Sequence, residues 1–246
     1  MRVRRAFNLA IDKRALAVHQ RTVKPLYAFS PEDIFAHYPQ PPGSGFDPER
    51  AKALLAEAGY RDDGGHYDAT RFPTSEVEYT YNTSDKNQGV AEVLQAQWKR
   101  NLGLTINLKN MEWKTFLSYR SRGEYKGFAR ATWNSDYMDP FSFLNIFAAP
   151  AGDNGTGWWD ADYVQMLDAA NRSIDPQQRY ELLARAEAYM LDAQPVLPLY
   201  TNTTNFVKKP YVKGLYPNPL TLHPWKFVYI EPDPAKWDRG LPAISD

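Results

Sequence analysis

Between Val77 and Trp133 the spacing of apolar residues switches from two to about 3.6 and back, twice over. Val77, Tyr79 and Tyr81 alternate with polar residues, the pattern of a half-buried strand. From Asp85 to about Asn101, the residues Val90, Leu94, Gln97 and Trp98 fall along one helical face, and Gly103 closes the helix. Leu104, Ile106 and Leu108 give a second strand, about Glu112 to Ser121 a second helix, and Gly127 to Trp133 a third strand. Strands joined through helices run parallel, so this order predicts an α/β fold with a largely parallel sheet covered by helices. Ligands of such sheets gather outside the carboxyl ends of the strands. The residues just after Trp133 are therefore the first place to look for a site.

The flanking segments extend the helical cover. A helix is expected from Val3 to about Ile11, and Asp12 caps a second from Lys13 to Val18. Residues 20–46 are rich in proline and aromatics without a period and read as a long ordered loop. Asp47 and Pro48 open a helix that Gly59 stops. Residues 61–75 read as a polar surface loop. Helices follow over about Asp162 to Ser173 and Pro176 to Leu191, the latter capped by Asp175, with a short buried strand from Val196 to Tyr200. Beyond Thr201 prolines and strands alternate, and the last dozen residues read as a loosely held tail.

Composition removes several classes of function. Lysine plus arginine equals aspartate plus glutamate, 29 each, so no basic field draws nucleic acid. The absence of cysteine excludes disulfides, thiol catalysis and zinc-thiolate sites, and suits an oxidising compartment. The four histidines, His19, His37, His66 and His223, lack metal-ligand spacing. Asp62-Asp63 beside Gly64-Gly65 lacks the other ligands of a calcium loop. No nucleophile elbow, P-loop or dinucleotide fingerprint occurs, so no cofactor is expected. No apolar stretch is long enough to span a bilayer. Met1-Arg2-Val3-Arg4-Arg5 runs straight into a helix without a cleavage site, so it is not a signal peptide. An aromatic share of 14% fits either an amphipathic ligand surface or a large aromatic core.

The segment Arg130-Ala131-Thr132-Trp133-Asn134-Ser135-Asp136-Tyr137-Met138-Asp139-Pro140 carries the candidate chemistry. Pro140 reads as a first helical residue and Asp139 as its N-cap, with Phe141, Leu144 and Phe147 at helical spacing behind them. Asp136 has no such duty, and a carboxylate among Trp133, Tyr137 and Met138 suits an ammonium group. An ordinary turn aspartate is the competing reading. Asp136 and Asp139 could also be a glycosidase pair with Trp133, Trp158 and Trp159 as sugar platforms. Three residues of separation, with one member a helix cap, suit that chemistry poorly.

This segment resembles the ligand-binding stretch of oligopeptide-binding proteins, the extracytoplasmic receptors of peptide ABC importers. Val3-Arg4-Arg5-Ala6-Phe7-Asn8-Leu9-Ala10-Ile11-Asp12 is similar to that family's VRQAL-x-x-A-x-D helix. Asp47 to Tyr60 is similar to its A-x-x-LL-x-EAG helix, and Tyr81-Asn82-Thr83-Ser84-Asp85, Glu112 to Leu117 and Gln194 to Tyr200 match further motifs in order. The resemblance implies a periplasmic-binding-protein-like lobe over residues 1–200, lacking its first strand. Residues 201–246 would then cross the hinge, their strands returning to the missing first lobe. It implies a non-catalytic C-terminal portion of a periplasmic receptor, whose partners are an oligopeptide, a membrane permease and the missing N-terminal lobe. Asp136 matches the acidic residue that pairs with the peptide α-ammonium. Thr132, Trp133 and Asn134 match the strand that hydrogen-bonds the peptide main chain. Arg130 and Arg120 match cations of the ligand cavity, although Arg130 reads equally as a strand arginine paired inside the protein. Asn87 stands where such receptors can carry a histidine, so carboxylate capture there is not implied. Wider relatives take sugars, nickel chelates or haem on the same fold, and a structural or signalling domain could reuse it.

Overall fold

The computed structural model describes residues 1–238. The chain divides into two compact units, Met1–Asn202 and Thr203–Asp246. In the first, strands β2 (Glu78–Asn82), β3 (Asn107–Met111) and β4 (Gly127–Ala129) form a parallel sheet in the order β3-β2-β4. Helix α4 (Asp85–Leu102) joins β2 to β3, and α5 (Trp113–Ser121) joins β3 to β4. The central position of β2 explains why Tyr79, Thr80 and Tyr81 are all buried.

Capping fixes these helices in place. Ser84 Oγ accepts from Asn87 N at the start of α4, and Gly103, at φ 72°, supplies the left-handed residue that ends it. Glu112 caps α5 through two main-chain N–H groups. Helices α1 (Arg2–Leu9), α2 (Lys13–Gln20) and α3 (Pro48–Glu57) complete the cover of this half, α2 and α3 capped by Asp12 and Asp47. Phe7, Phe72, Trp98 and Phe128 cluster at its centre. Trp98 Nε1 donates to Phe7 O at 3.1 Å and Asn101 Nδ2 to Ala10 O at 2.8 Å, so α4 is pinned to the α1–α2 corner.

A second core lies around α6 (Phe141–Leu144), α7 (Ala161–Arg172) and α8 (Pro176–Ala193). Glu187 of α8 is fully buried there. Its carboxylate accepts from Phe29 N and Ser30 N, each at 2.7 Å, from Ser30 Oγ at 2.6 Å and from Tyr38 Oη at 2.7 Å. Four donors on one buried carboxylate tie the proline-rich segment after residue 25 to α8. Trp158 packs on Phe147 and Tyr163 of this core, whereas Trp159 is half exposed.

Four expectations need correction, the first being that the second strand runs over Asn107–Met111 and not from Leu104 to Leu108. The third strand ends at Ala129 rather than Trp133, because Arg130 N to Thr80 O, at 2.8 Å, is its last hydrogen bond to β2. The segment 20–46 contains a strand, β1 (Val23–Pro25). Its partner is the antiparallel β5 (Tyr200–Asn202), so the late strand begins where Val196 to Tyr200 was expected to finish. Buried apolar residues such as Pro198 set the expected range, but a strand needs a neighbour, and β1 reaches only these three residues.

In the second unit, β6 (Val212–Lys213) pairs antiparallel with β7 (Tyr229–Ile230). Val207, Tyr216, Leu222, Trp225, Phe227, Tyr229 and Ile230 are all exposed there. Residues 239–246, most of the expected loose tail, lie outside the described residues.

Candidate functional site

The carboxyl end of the sheet gathers a polar network. Asn82 closes β2, and its Oδ1 accepts from Asn87 Nδ2 at 3.1 Å and from Arg130 Nη1 at 3.2 Å. Asn87 Nδ2 also reaches Asn82 O at 3.1 Å. Asn87 is buried, and its Nδ2 is spent on the strand–helix corner of its own chain. Arg130 is half-buried and touches Asn82 through one nitrogen, without an ion pair among the described residues. The internal-pairing reading of Arg130 thus holds only for one of its donors.

Beyond Arg130 the chain leaves the sheet. Among the described residues, no protein group hydrogen-bonds the main chain of residues 131–135. Thr132 and Asn134 are exposed, and Trp133 is held by Nε1 donating to Ser142 O at 2.9 Å. Asp136 N donates to Ser142 Oγ at 3.0 Å, which sets the turn. The Asp136 side chain is exposed and lines a cavity of about 210 Å³, together with Trp133, Tyr137, Ser142, Asn145 and Asp153. Neither carboxylate has a hydrogen bond or ion pair among the described residues.

Asp139 behaves differently. Its Oδ1 accepts from Phe141 N at 2.8 Å, but Pro140, not Asp139, is the N-cap of α6, which has only one turn. Arg179 of α8 grips it in bidentate fashion, Nη1 to Oδ2 at 2.6 Å and Nη2 to Oδ1 at 3.0 Å. That pair holds the guanidinium above its ordinary pKa and satisfies both charges. Arg120, at the end of α5, lies along Gly155, and its buried Nε has no partner. The structure therefore brings Trp133 and Asp136 together in one cavity and Arg130 with Asn82 and Asn87 in another cluster. Arg120 belongs to neither group and packs on the loop that carries Asp153. Sequence reasoning missed Asn82 as a site residue, although it stands inside the Tyr81 to Asp85 motif, and missed Asp153, which no motif marks.

A family model for bacterial extracellular solute-binding proteins, family 5 Middle, matches residues 1–155. The chain belongs to this solute-binding family. It is 32% identical over 225 residues to the periplasmic oligopeptide-binding protein OppA of Salmonella typhimurium, covering 87% of this chain and 39% of that protein. To the dipeptide-binding protein DppE of Bacillus subtilis it is 28% identical over 229 residues, covering 89% and 40%. The solved structure of the Escherichia coli murein tripeptide binding protein MppA superposes with a TM-score of 0.78 at 30% identity, covering 93% and 45%. The chain spans about two-fifths of the length of the curated relatives it matches. Its parallel sheet and helical cover are those of the periplasmic-binding-protein fold. Membership in a family of solute binders speaks against catalysis, and the commitment of Asp139 to Arg179 removes the second carboxylate of the glycosidase reading.

Proposed function

We propose that this chain forms the peptide-binding lobe of an ABC-importer substrate-binding protein, with Asp136 anchoring the peptide α-ammonium. One observation carries the reading. Among the described residues, a main chain without internal partners, residues 131–135, leads directly to an unpaired carboxylate in an aromatic-walled cavity. Such a main chain can pair with an extended ligand as an added strand would, giving affinity without choosing side chains. Thr132, Trp133 and Asn134 supply that edge. Arg130, and less directly Arg120, are cations that can meet a terminal carboxylate or an acidic side chain. Asn87 serves by holding Asn82, which in turn orients Arg130.

The relatives' names support peptide cargo and a periplasmic setting for the whole receptor. In this reading residues 1–200 are one lobe, and residues 201–246 return to another. The exposed apolar residues after Val207 suit a segment that another part of the receptor covers. Closure of two lobes would bury the peptide and present a surface to the membrane permease. The same fold could carry sugar, nickel chelate or haem, but an unpaired carboxylate beside Trp133 and Tyr137 favours an amine.

The test is a chemical-shift titration of the chain, wild type and Asp136→Ala, with a tripeptide and its N-acetylated form. One lobe leaves much of the ligand in water, so binding is weak and the ratio is what matters. A charge-assisted hydrogen bond contributes roughly 1.5–3 kcal/mol, so acetylation and the substitution should each weaken binding about tenfold or more. Their effects should not add, since both remove one contact. Equal response of the wild-type chain to both peptides would sink the proposal.

A further inference from the structure

The cavity beside Asp136 carries one charge more than a peptide amine can neutralise. Asp136 and Asp153 both line it, on segments separated by α6 and the turn after it. Among the described residues, no cation lines the same space. Arg179 is nearby in the fold, but both its terminal nitrogens are engaged by Asp139. Arg120 packs its stem against Gly155 and makes no ion pair with Asp153 among the described residues.

Asp153 is exposed, yet its loop is built. The next residue, Asn154, is buried, and its Nδ2 donates to Ala149 O and Trp158 O, each at 2.7 Å. Asn154 Oδ1 accepts from Thr156 N at 3.1 Å and Thr156 Oγ1 at 2.7 Å. Tyr125 Oη clamps the same loop through Gly155 O at 2.7 Å. Internal hydrogen bonds on this scale hold Asp153 at the cavity wall rather than leaving it to wander. Asn145 lines the same cavity, and its side-chain amide is unspent among the described residues.

We infer that Asp153 is a specificity residue that makes this cavity select peptides bearing a cationic side chain at or beside the amino terminus. The inference rests on the peptide reading above. The α-ammonium answers Asp136, and a lysine, arginine or ornithine side chain answers Asp153. An acidic first residue meets a second negative charge and is disfavoured. Because both carboxylates are exposed, the preference is moderate and weakens as salt is added.

The experiment titrates the chain by chemical shift with Lys-Ala-Ala, Ala-Ala-Ala, Glu-Ala-Ala and acetyl-Ala-Ala-Ala, in wild type, Asp153→Asn and Asp153→Lys. Wild type should bind Lys-Ala-Ala roughly two- to fivefold more tightly than Ala-Ala-Ala, with Glu-Ala-Ala weakest. Asp153→Asn should bring the Lys-to-Ala ratio to about one, and Asp153→Lys should turn the order in favour of Glu-Ala-Ala. Discrimination against the acetylated peptide should persist in both variants, because Asp136 is intact. A wild type without lysine preference, or a preference that survives Asp153→Asn, overturns the inference while leaving the amine anchor standing. Equal binding of free and acetylated Ala-Ala-Ala is the separate result that removes the peptide reading and this inference with it.

Discussion

Lys13 offers a sharp test of how the first core is packed. It is the first residue of α2, its side chain is fully buried, and Nζ donates to Ser44 O at 3.3 Å while lying 5.2 Å from the Tyr27 ring centroid. No carboxylate pairs with it among the described residues, and the positive end of the α2 dipole is unfavourable to a cation. Burial pushes the ammonium from its ordinary 10.5 down to about 8. A drop of about 2.5, at about 1.36 kcal/mol for each pKa unit, makes the buried charge cost about 3 kcal/mol at pH 7. The unfolded chain binds the extra proton between about pH 8 and 10.5, so stability rises with pH through that window. At pH 9.5 the same two pKa values leave a cost of only about 1.4 kcal/mol. Lys13→Met keeps most of the packing and removes the charge. The variant should therefore be more stable than wild type at pH 7, by up to about 3 kcal/mol, and the gap should narrow by about 2 kcal/mol at pH 9.5. Urea unfolding of both proteins at the two pH values reads this directly, since other titrations cancel in the difference. A gap that stays constant with pH would show that the ammonium keeps its water, and the reasoning from burial would be wrong.

Asp139→Ala should destabilise the chain by about 2–4 kcal/mol, because it strands a mostly buried guanidinium and takes away the acceptor of Phe141 N. Adding Arg179→Ala should cost less than the sum of the two single changes in a double-mutant cycle; strict additivity would mean that the pair is decorative. Glu187→Leu should cost roughly 2–6 kcal/mol in urea unfolding, since Phe29 N and Ser30 N lose their acceptor with no way to turn elsewhere. Burial raises the Glu187 carboxyl above its ordinary pKa despite its four donors. Its protonated form therefore lends stability below the unfolded pKa of about 4.3, and this is lost as pH rises through the higher folded value. Glu187→Gln should accordingly gain on wild type as pH rises from 4 towards neutrality, and no change in that difference would refute the sign.

Much of the fold was legible because its signals are local. The alternation of Val77, Tyr79 and Tyr81, the helical face from Val90 to Trp98, and the caps Asp12, Asp47 and Asp175 act within a turn or a strand's length. Gly103 is equally readable, since only a residue at ease with positive φ ends α4 there. The end of β4 was not legible. Ala129, Ala131 and Trp133 continue an apolar alternation, but a strand lasts only as far as its hydrogen bonds to a neighbour, and beyond Arg130 N to Thr80 O none joins this segment to β2 among the described residues.

The site divides in the same way. The position of Asp136 after a strand of a parallel sheet, and its lack of a capping duty, follow from the residues around it. Other features depend on partners far along the chain. Asp139 is claimed by Arg179, 40 residues later, and Glu187 by donors from Phe29 to Tyr38. Asn87 donates to Asn82, a pairing that no local pattern announces. Asp153 looks like any loop aspartate until Asn154 folds its loop onto the cavity. Period and capping chemistry could name the sheet and its carboxyl end. Which charges are consumed and which stay free was decided by side chains meeting across the core, where no local pattern reaches.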